Sequence, residues 1–121
     1  MKIMLVDDSQ TMRNVQKKIL AQLGYTDIVE ASDGQDALSK VGAAEPDLIL
    51  LDWNMPNLDG MGFLTSFRTK DKATPVVMVT TEAEKSRVVE AIKAGVNNYV
   101  VKPFTPDSLG GKIQETLAKA G

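Results

Sequence analysis

The stretch Leu48-Ile49-Leu50-Leu51-Asp52-Trp53-Asn54-Met55-Pro56-Asn57-Leu58-Asp59-Gly60 decides how the rest of the chain is read. Four apolar residues run into a single carboxylate, and a loop rich in Pro, Asn, Asp and Gly follows. A short, continuous apolar run bounded by turn residues suits a strand buried on both faces of a parallel sheet. Asp52 then stands at the carboxyl end of that strand, the edge of an open α/β sheet where ligands bind. A plainer reading is a turn-initiating Asp, since Asp is common where a strand gives way to a loop. The stretch alone leaves both readings open.

The flanking sequence repeats the same unit. Upstream, residues 2–6 form an apolar strand that ends on Asp7-Asp8-Ser9, and residues 10–23 carry Met12, Val15, Ile19 and Leu23 at helical spacing. Gly24 closes this helix as a left-handed cap. A short strand over 27–31 and the Ser32-Asp33-Gly34 turn lead to a second helix, with Ala37, Leu38 and Val41 facing inward. Glu45-Pro46 stops it, because a residue before proline avoids the helical region. Downstream of the third strand (47–51), a helix over 60–68 turns Phe63, Leu64 and Phe67 inward. Pro75 opens a fourth strand, 76–79, ending on Thr80-Thr81. A helix over 82–94 is expected to bury Val88, Val89 and Ile92 and to stop at Gly95. A fifth strand over 97–101 ends on Lys102-Pro103-Phe104. Thr105-Pro106 then supplies the N-cap and first residue of a last helix striped by Leu109, Ile113 and Leu117. Gly110-Gly111 sits inside that helix and weakens its start.

Five strands alternating with five helices, without linker or repeat, imply a doubly wound parallel sheet with helices on both faces. At 121 residues, one domain spanning 1–121 with no output domain is expected. The absence of Cys removes disulfides and thiolate sites, and the absence of His removes the commonest general base and metal ligand. Any chemistry rests on carboxylates, Lys, hydroxyls and backbone. A net charge of −2 and no basic run argue against nucleic acid as the main partner. No segment has the apolar length of a membrane span, and with no targeting segment a cytoplasmic location is expected.

In such a sheet every strand aims its carboxyl end at one edge. Asp7 and Asp8, Asp52, Thr80 with Thr81, and Lys102 are delivered there; the second strand contributes nothing polar. The flavodoxin-like order 2-1-3-4-5 sets these ends side by side. Acids gathered at one edge repel each other, so either one protonates or a cation holds them. Hard oxygen donors suit Mg²⁺ or Mn²⁺. One of the Asp7-Asp8 pair is equally explained by the dipole of the following helix, and Thr80 taken alone by strand preference; for Lys102 a solvated surface is the weaker reading beside these groups. A cation beside a Lys and a hydroxyl is what phosphoryl transfer needs, and a carboxylate can serve as its nucleophile.

With the acidic pair after strand 1, Asp52 after strand 3, Thr80 after strand 4 and Lys102-Pro103 after strand 5, the chain resembles the receiver domain of bacterial response regulators over essentially its whole length. The segments 52–57 and 99–104 resemble the CheY-like chemotaxis type in particular. The resemblance implies that Asp52 accepts a phosphoryl group from a histidine kinase (CheA-like) or a small phosphodonor. It implies Mg²⁺ held by Asp8, Asp52 and the Asn54 carbonyl, with Asp7 reaching it through water. Lys102 would pair with the phosphoryl group, and its bond to Pro103 would be cis. Thr80 would move toward the phosphoryl group and Tyr99 would rotate inward behind it. Asn54, Thr81 and Glu82 would modulate the rates. A partner such as the flagellar motor switch would dock on helix 4, strand 5 and helix 5. The protein would be a monomeric signalling switch, catalysing only its own aspartyl phosphorylation and dephosphorylation. Thr81, where a small residue is usual, and Gly110-Gly111 depart from the chemotaxis pattern. A phosphorelay shuttle or phosphate sink is the alternative within the family. An FMN-binding flavodoxin-like protein is disfavoured by the acids after strand 1, and an aspartyl phosphatase by the lack of a cap domain.

Overall fold

The computed structural model describes residues 1–120, with the side chains of Glu82, Ala83 and Ala120 outside the described set. The elements run β1 (Lys2–Val6), α1 (Gln10–Gln22), β2 (Asp27–Ala31), α2 (Gly34–Ala44), β3 (Leu48–Asp52) and α3 (Gly60–Arg68). They continue with β4 (Val76–Thr80), a 3-10 helix (Glu82–Arg87), α4 (Val88–Ala94), β5 (Asn98–Val101) and α5 (Pro106–Ala120). The strands form one parallel sheet in the order β2-β1-β3-β4-β5. This is the doubly wound α/β architecture expected from the alternation.

The apolar strands serve two cores because successive side chains leave a strand on opposite faces. Leu48 and Leu50 of β3 join Ile3, Leu5, Val77 and Val79 under α1 and α5, where Leu20 and Ile113 pack. Ile49 and Leu51 join Met4, Val6, Val76 and Met78 on the other face, under Phe63, Leu64 and Phe67 of α3. β3 therefore lies in the middle of a three-layer stack, with all five residues buried.

Helix ends follow their sequence signals. Ser9, Asp33 and Asp59 each accept a backbone N–H of the helix they precede, from Met12, Asp36 and Gly62 respectively. Gly24, at φ +92°, follows α1. At α5, Thr105 Oγ1 accepts the Ser108 N–H at 3.1 Å while Ser108 Oγ accepts the Thr105 N–H at 2.9 Å, a reciprocal cap.

Two readings of helix faces are corrected. On α1 the buried residues are Arg13, Gln16, Ile19 and Leu20, and Val15 is exposed. Polar residues take core positions there, so counting apolar residues alone misplaces the stripe. After β4 the chain first forms a 3-10 helix, and α4 proper starts only at Val88. Its inner stripe is Val88 and Ala91, while Val89 and Ile92 are 60% and 54% exposed. A 3.6-residue period admits either stripe; the small Ala91 is the side chain that fits against the core of the sheet.

Candidate functional site

β1 and β3 are hydrogen-bonded neighbours with Val6 opposite Leu51, so the turn after β1 and the end of β3 emerge together. One carboxylate oxygen from each of Asp7, Asp8 and Asp52 lies within 4.8 Å of the others. Asp7 and Asp52 are buried, and Asp8 is exposed. Lys102 reaches in from the turn after β5. Its Nζ donates to Asp52 Oδ1 at 2.9 Å and stands 3.9 Å from Asp7 Oδ2. The longer distance is an ion pair but not a hydrogen bond. Asp7 Oδ2 is consequently buried without a hydrogen-bond partner, while Asp7 Oδ1 accepts the Ser9 N–H at 2.9 Å.

Burial pushes the Asp7 carboxyl above the ordinary carboxylate range, and the Ser9 N–H and the Lys102 charge offset only part of that rise. Burial raises Asp52 in the same way. The Lys102 hydrogen bond opposes the rise, and the neighbouring Asp7 charge adds to it. One ammonium thus faces a group of three carboxylates. The oxygen-only donor set and the orphaned Asp7 oxygen fit a hard divalent cation, Mg²⁺ or Mn²⁺.

The surrounding elements fix these groups. The Lys102 backbone N–H donates to the Thr80 carbonyl at 2.7 Å, and the Lys102–Pro103 peptide bond is cis. The Gly60 N–H donates to the Trp53 carbonyl at 2.9 Å, folding the loop after Asp52 tightly back on the strand. A Cβ at Gly60 would run into the Asp52 carbonyl, so only glycine fits. Trp53 is buried with the Arg87 guanidinium 4.5 Å from its ring centroid.

Asp7, Asp8, Asp52 and Lys102 thus meet in one cluster. The Thr80 hydroxyl is fully buried and directed to the Thr81 carbonyl at 3.4 Å. Tyr99 is half-buried on the edge strand, with the Lys112 ammonium 4.8 Å over its ring. Asn54 and Thr81 share a partner that the sequence reading missed. The Glu84 carboxylate accepts from Asn54 Nδ2 through one oxygen and from Thr81 Oγ1 at 3.0 Å through the other. The Thr81-x-x-Glu84 spacing was the available signal, since it is that of a capping box. The side chain of Glu82 lies outside the described residues. Arg13 was missed too. It is buried on α1, and its guanidinium donates to the Asp7 carbonyl, to Gln10 Oε1 at 2.7 Å and to Glu30 Oε1 at 3.0 Å.

The sequence pattern of the response regulator receiver domain matches residues 3–114. Over 120 residues the chain is 45% identical to the chemotaxis protein CheY1 of Helicobacter pylori, covering 97% of each. Among solved structures it is similar to the chemotaxis protein CheY4 of Vibrio cholerae, with a TM-score of 0.87 and 35% identity over 95% of this chain and 97% of that one. It is also similar to NtrX of Brucella abortus, with a TM-score of 0.91 and 29% identity over 98% of this chain; it spans 27% of the length of NtrX.

Proposed function

The chain belongs to the response regulator receiver family, the signalling switches of two-component systems, and on that premise we propose that Asp52 is the carboxylate that accepts the phosphoryl group. The observation that carries this reading is the placement of Asp52, buried at the end of β3, bonded to Lys102 and grouped with Asp7 and Asp8. One Asp52 oxygen is occupied by Lys102; the other attacks phosphorus. With the phosphohistidine of a kinase as donor, the P–N bond breaks with its electron pair going to nitrogen, and a P–O bond forms. The Lys102 ammonium offsets charge on the phosphoryl oxygens.

Asp8, Asp52 and the Asn54 backbone carbonyl would hold Mg²⁺ or Mn²⁺, with Asp7 acting through water. When bound, the divalent cation supplies charge neutralisation for the carboxylates and the incoming phosphoryl group. Asn54, Thr81 and Glu82 would tune the rates.

The Thr80 hydroxyl then exchanges the Thr81 carbonyl for a phosphoryl oxygen, and Tyr99 turns inward behind it. Output is a change in affinity at the surface of α4, β5 and α5, where the exposed Val89 and Ile92 offer apolar contact. Curated relatives carry the name of chemotaxis proteins, which supports a chemotaxis role; in this reading a CheA-like histidine kinase acts upstream and a motor switch protein or another docking protein downstream, in the cytoplasm. Incubation with Mg²⁺ and phosphoramidate tests the reading by mass spectrometry. The parent is expected to gain one phosphoryl group and Asp52→Asn none; equal gain by both at the same rate removes Asp52 from its role.

A further inference from the structure

We propose that Glu84 is a positioning residue for phosphoryl transfer at Asp52, fastening the Asn54 and Thr81 side chains together across the entrance and slowing both donor and water. The proposal rests on the assignment of Asp52 as phosphoacceptor. Asn54 lies two residues beyond Asp52 on the loop after β3, and Thr81 directly follows β4, whose Val79 pairs with Asp52. These loops lie on adjacent strands, and nothing in the sheet ladder joins their tips. Glu84 does so: each carboxylate oxygen takes one donor, Asn54 Nδ2 from the first loop and Thr81 Oγ1 from the second.

Hydrogen bonds to a carboxylate are the stronger kind, and two of them accepted by one carboxylate make a strap. The side chains of Glu84 and Thr81 are half-buried, so the strap lies at the rim rather than in the core. Its carboxylate also places a negative charge where an anionic donor must pass. Thr81 now has a structural reason: its hydroxyl supplies one arm of the strap, which a smaller, apolar residue would not.

On this proposal both chemical steps pass this rim. In the forward step an Asp52 oxygen attacks the phosphorus of phosphoramidate, whose nitrogen is already protonated in the zwitterion; the P–N bond breaks with its electron pair going to nitrogen, which leaves as ammonia. In hydrolysis a water oxygen attacks phosphorus, the bond to Asp52 breaks, its electron pair returns to the carboxylate, and the water's protons go with inorganic phosphate and solvent. A strap that narrows the entrance slows both.

The test is a double-mutant cycle on rates, with phosphoramidate and Mg²⁺, on the parent, Glu84→Ala, Glu84→Gln, Thr81→Val and the Glu84→Ala/Thr81→Val pair. Phosphorylation and hydrolysis are both expected to rise at least about threefold in Glu84→Ala. Thr81→Val, which removes one arm and keeps the shape, should rise less. The paired variant should be no faster than Glu84→Ala, because both changes remove the same bond. Glu84→Gln should fall between parent and Glu84→Ala, since one amide oxygen can still accept. Rates within about twofold of the parent in Glu84→Ala, or factors that multiply in the pair, overturn the proposal. Failure of the parent itself to gain a phosphoryl group overturns the assignment of Asp52 and this inference with it, whereas a phosphorylated parent with unchanged variants removes Glu84 alone.

Discussion

At Asp7 a carboxylate oxygen is buried with no hydrogen-bond partner and an ammonium 3.9 Å away. An unsatisfied buried polar group costs about 1–3 kcal/mol, and more when charged. The acidic group is therefore stabilised by any cation that enters it. Mg²⁺ is expected to raise the melting temperature of the parent at pH 7, by about 2.7 kcal/mol of stability at a hundredfold excess over Kd. The increment should shrink sharply in Asp8→Asn and return to zero when EDTA is added. Equal Mg²⁺ stabilisation of parent and variant in differential scanning calorimetry would place the cation elsewhere. Asp7, Asp8, Asp52 and Lys102 were legible in the sequence because each sits where an apolar strand ends. Arg13 and Glu84 were legible only in their local contacts, to Gln10 and Thr81; their bonds to Glu30 and Asn54 depend on tertiary packing.

Within the elements, α5 carries the sharpest local conflict. Gly111 is exposed with open space where a Cβ would go, while a Cβ on Gly110 would meet the Leu23 methyl carbons at 3.1 and 3.2 Å. Gly111→Ala should raise stability by about 0.5–1 kcal/mol. Gly110→Ala should gain less or lose, because α5 approaches Leu23 through that missing side chain. Urea midpoints of the two variants separate these cases, and an equal gain at both would contradict the close packing.

At the start of α2, the Ser32 backbone N–H, 2.9 Å away, holds the Asp36 carboxyl below its ordinary value, and Lys40 at 3.0 Å adds to this. A carboxyl whose pKa falls on folding stabilises the fold above its unfolded value, near 3.8, and loses that contribution as pH drops through the folded one. Asp36→Asn should therefore lower the urea midpoint at pH 7, by about 0.5–1 kcal/mol, and the gap should close on acidification below that value. A gap that stays constant from neutral to acid pH would show that the charge is not involved. Caps and stops were legible here because they are local. The inner face of α4 was not, since the choice between Ala91 and the pair Val89 and Ile92 is made by the sheet beneath the helix.

Across the whole molecule, one alternating strand pattern builds two cores and one polar edge. The strand order was legible because the doubly wound order 2-1-3-4-5 sets the four polar strand ends side by side, and that is the order found. Burial then separates core apolar residues from surface ones. Phe63, fully buried and stacked on Phe67 with centroids 5.3 Å apart, belongs to the core; Val89, 60% exposed, does not. Phe63→Ala should cost about 3–5 kcal/mol, and Val89→Ala should stay within about 0.5 kcal/mol. Chemical denaturation of both variants checks this, and comparable losses would mean that α4 packs more closely than its exposure implies.

If Asp52 is the nucleophile of the acidic group beside Lys102, the site of modification is the most direct test. After reaction with phosphoramidate and Mg²⁺, borohydride reduction of an acyl phosphate converts the modified Asp to homoserine, which peptide mapping locates. The expected result is homoserine at position 52 alone. Homoserine at Asp7, Asp8 or elsewhere, or none in a protein that has gained a phosphoryl group, would contradict it.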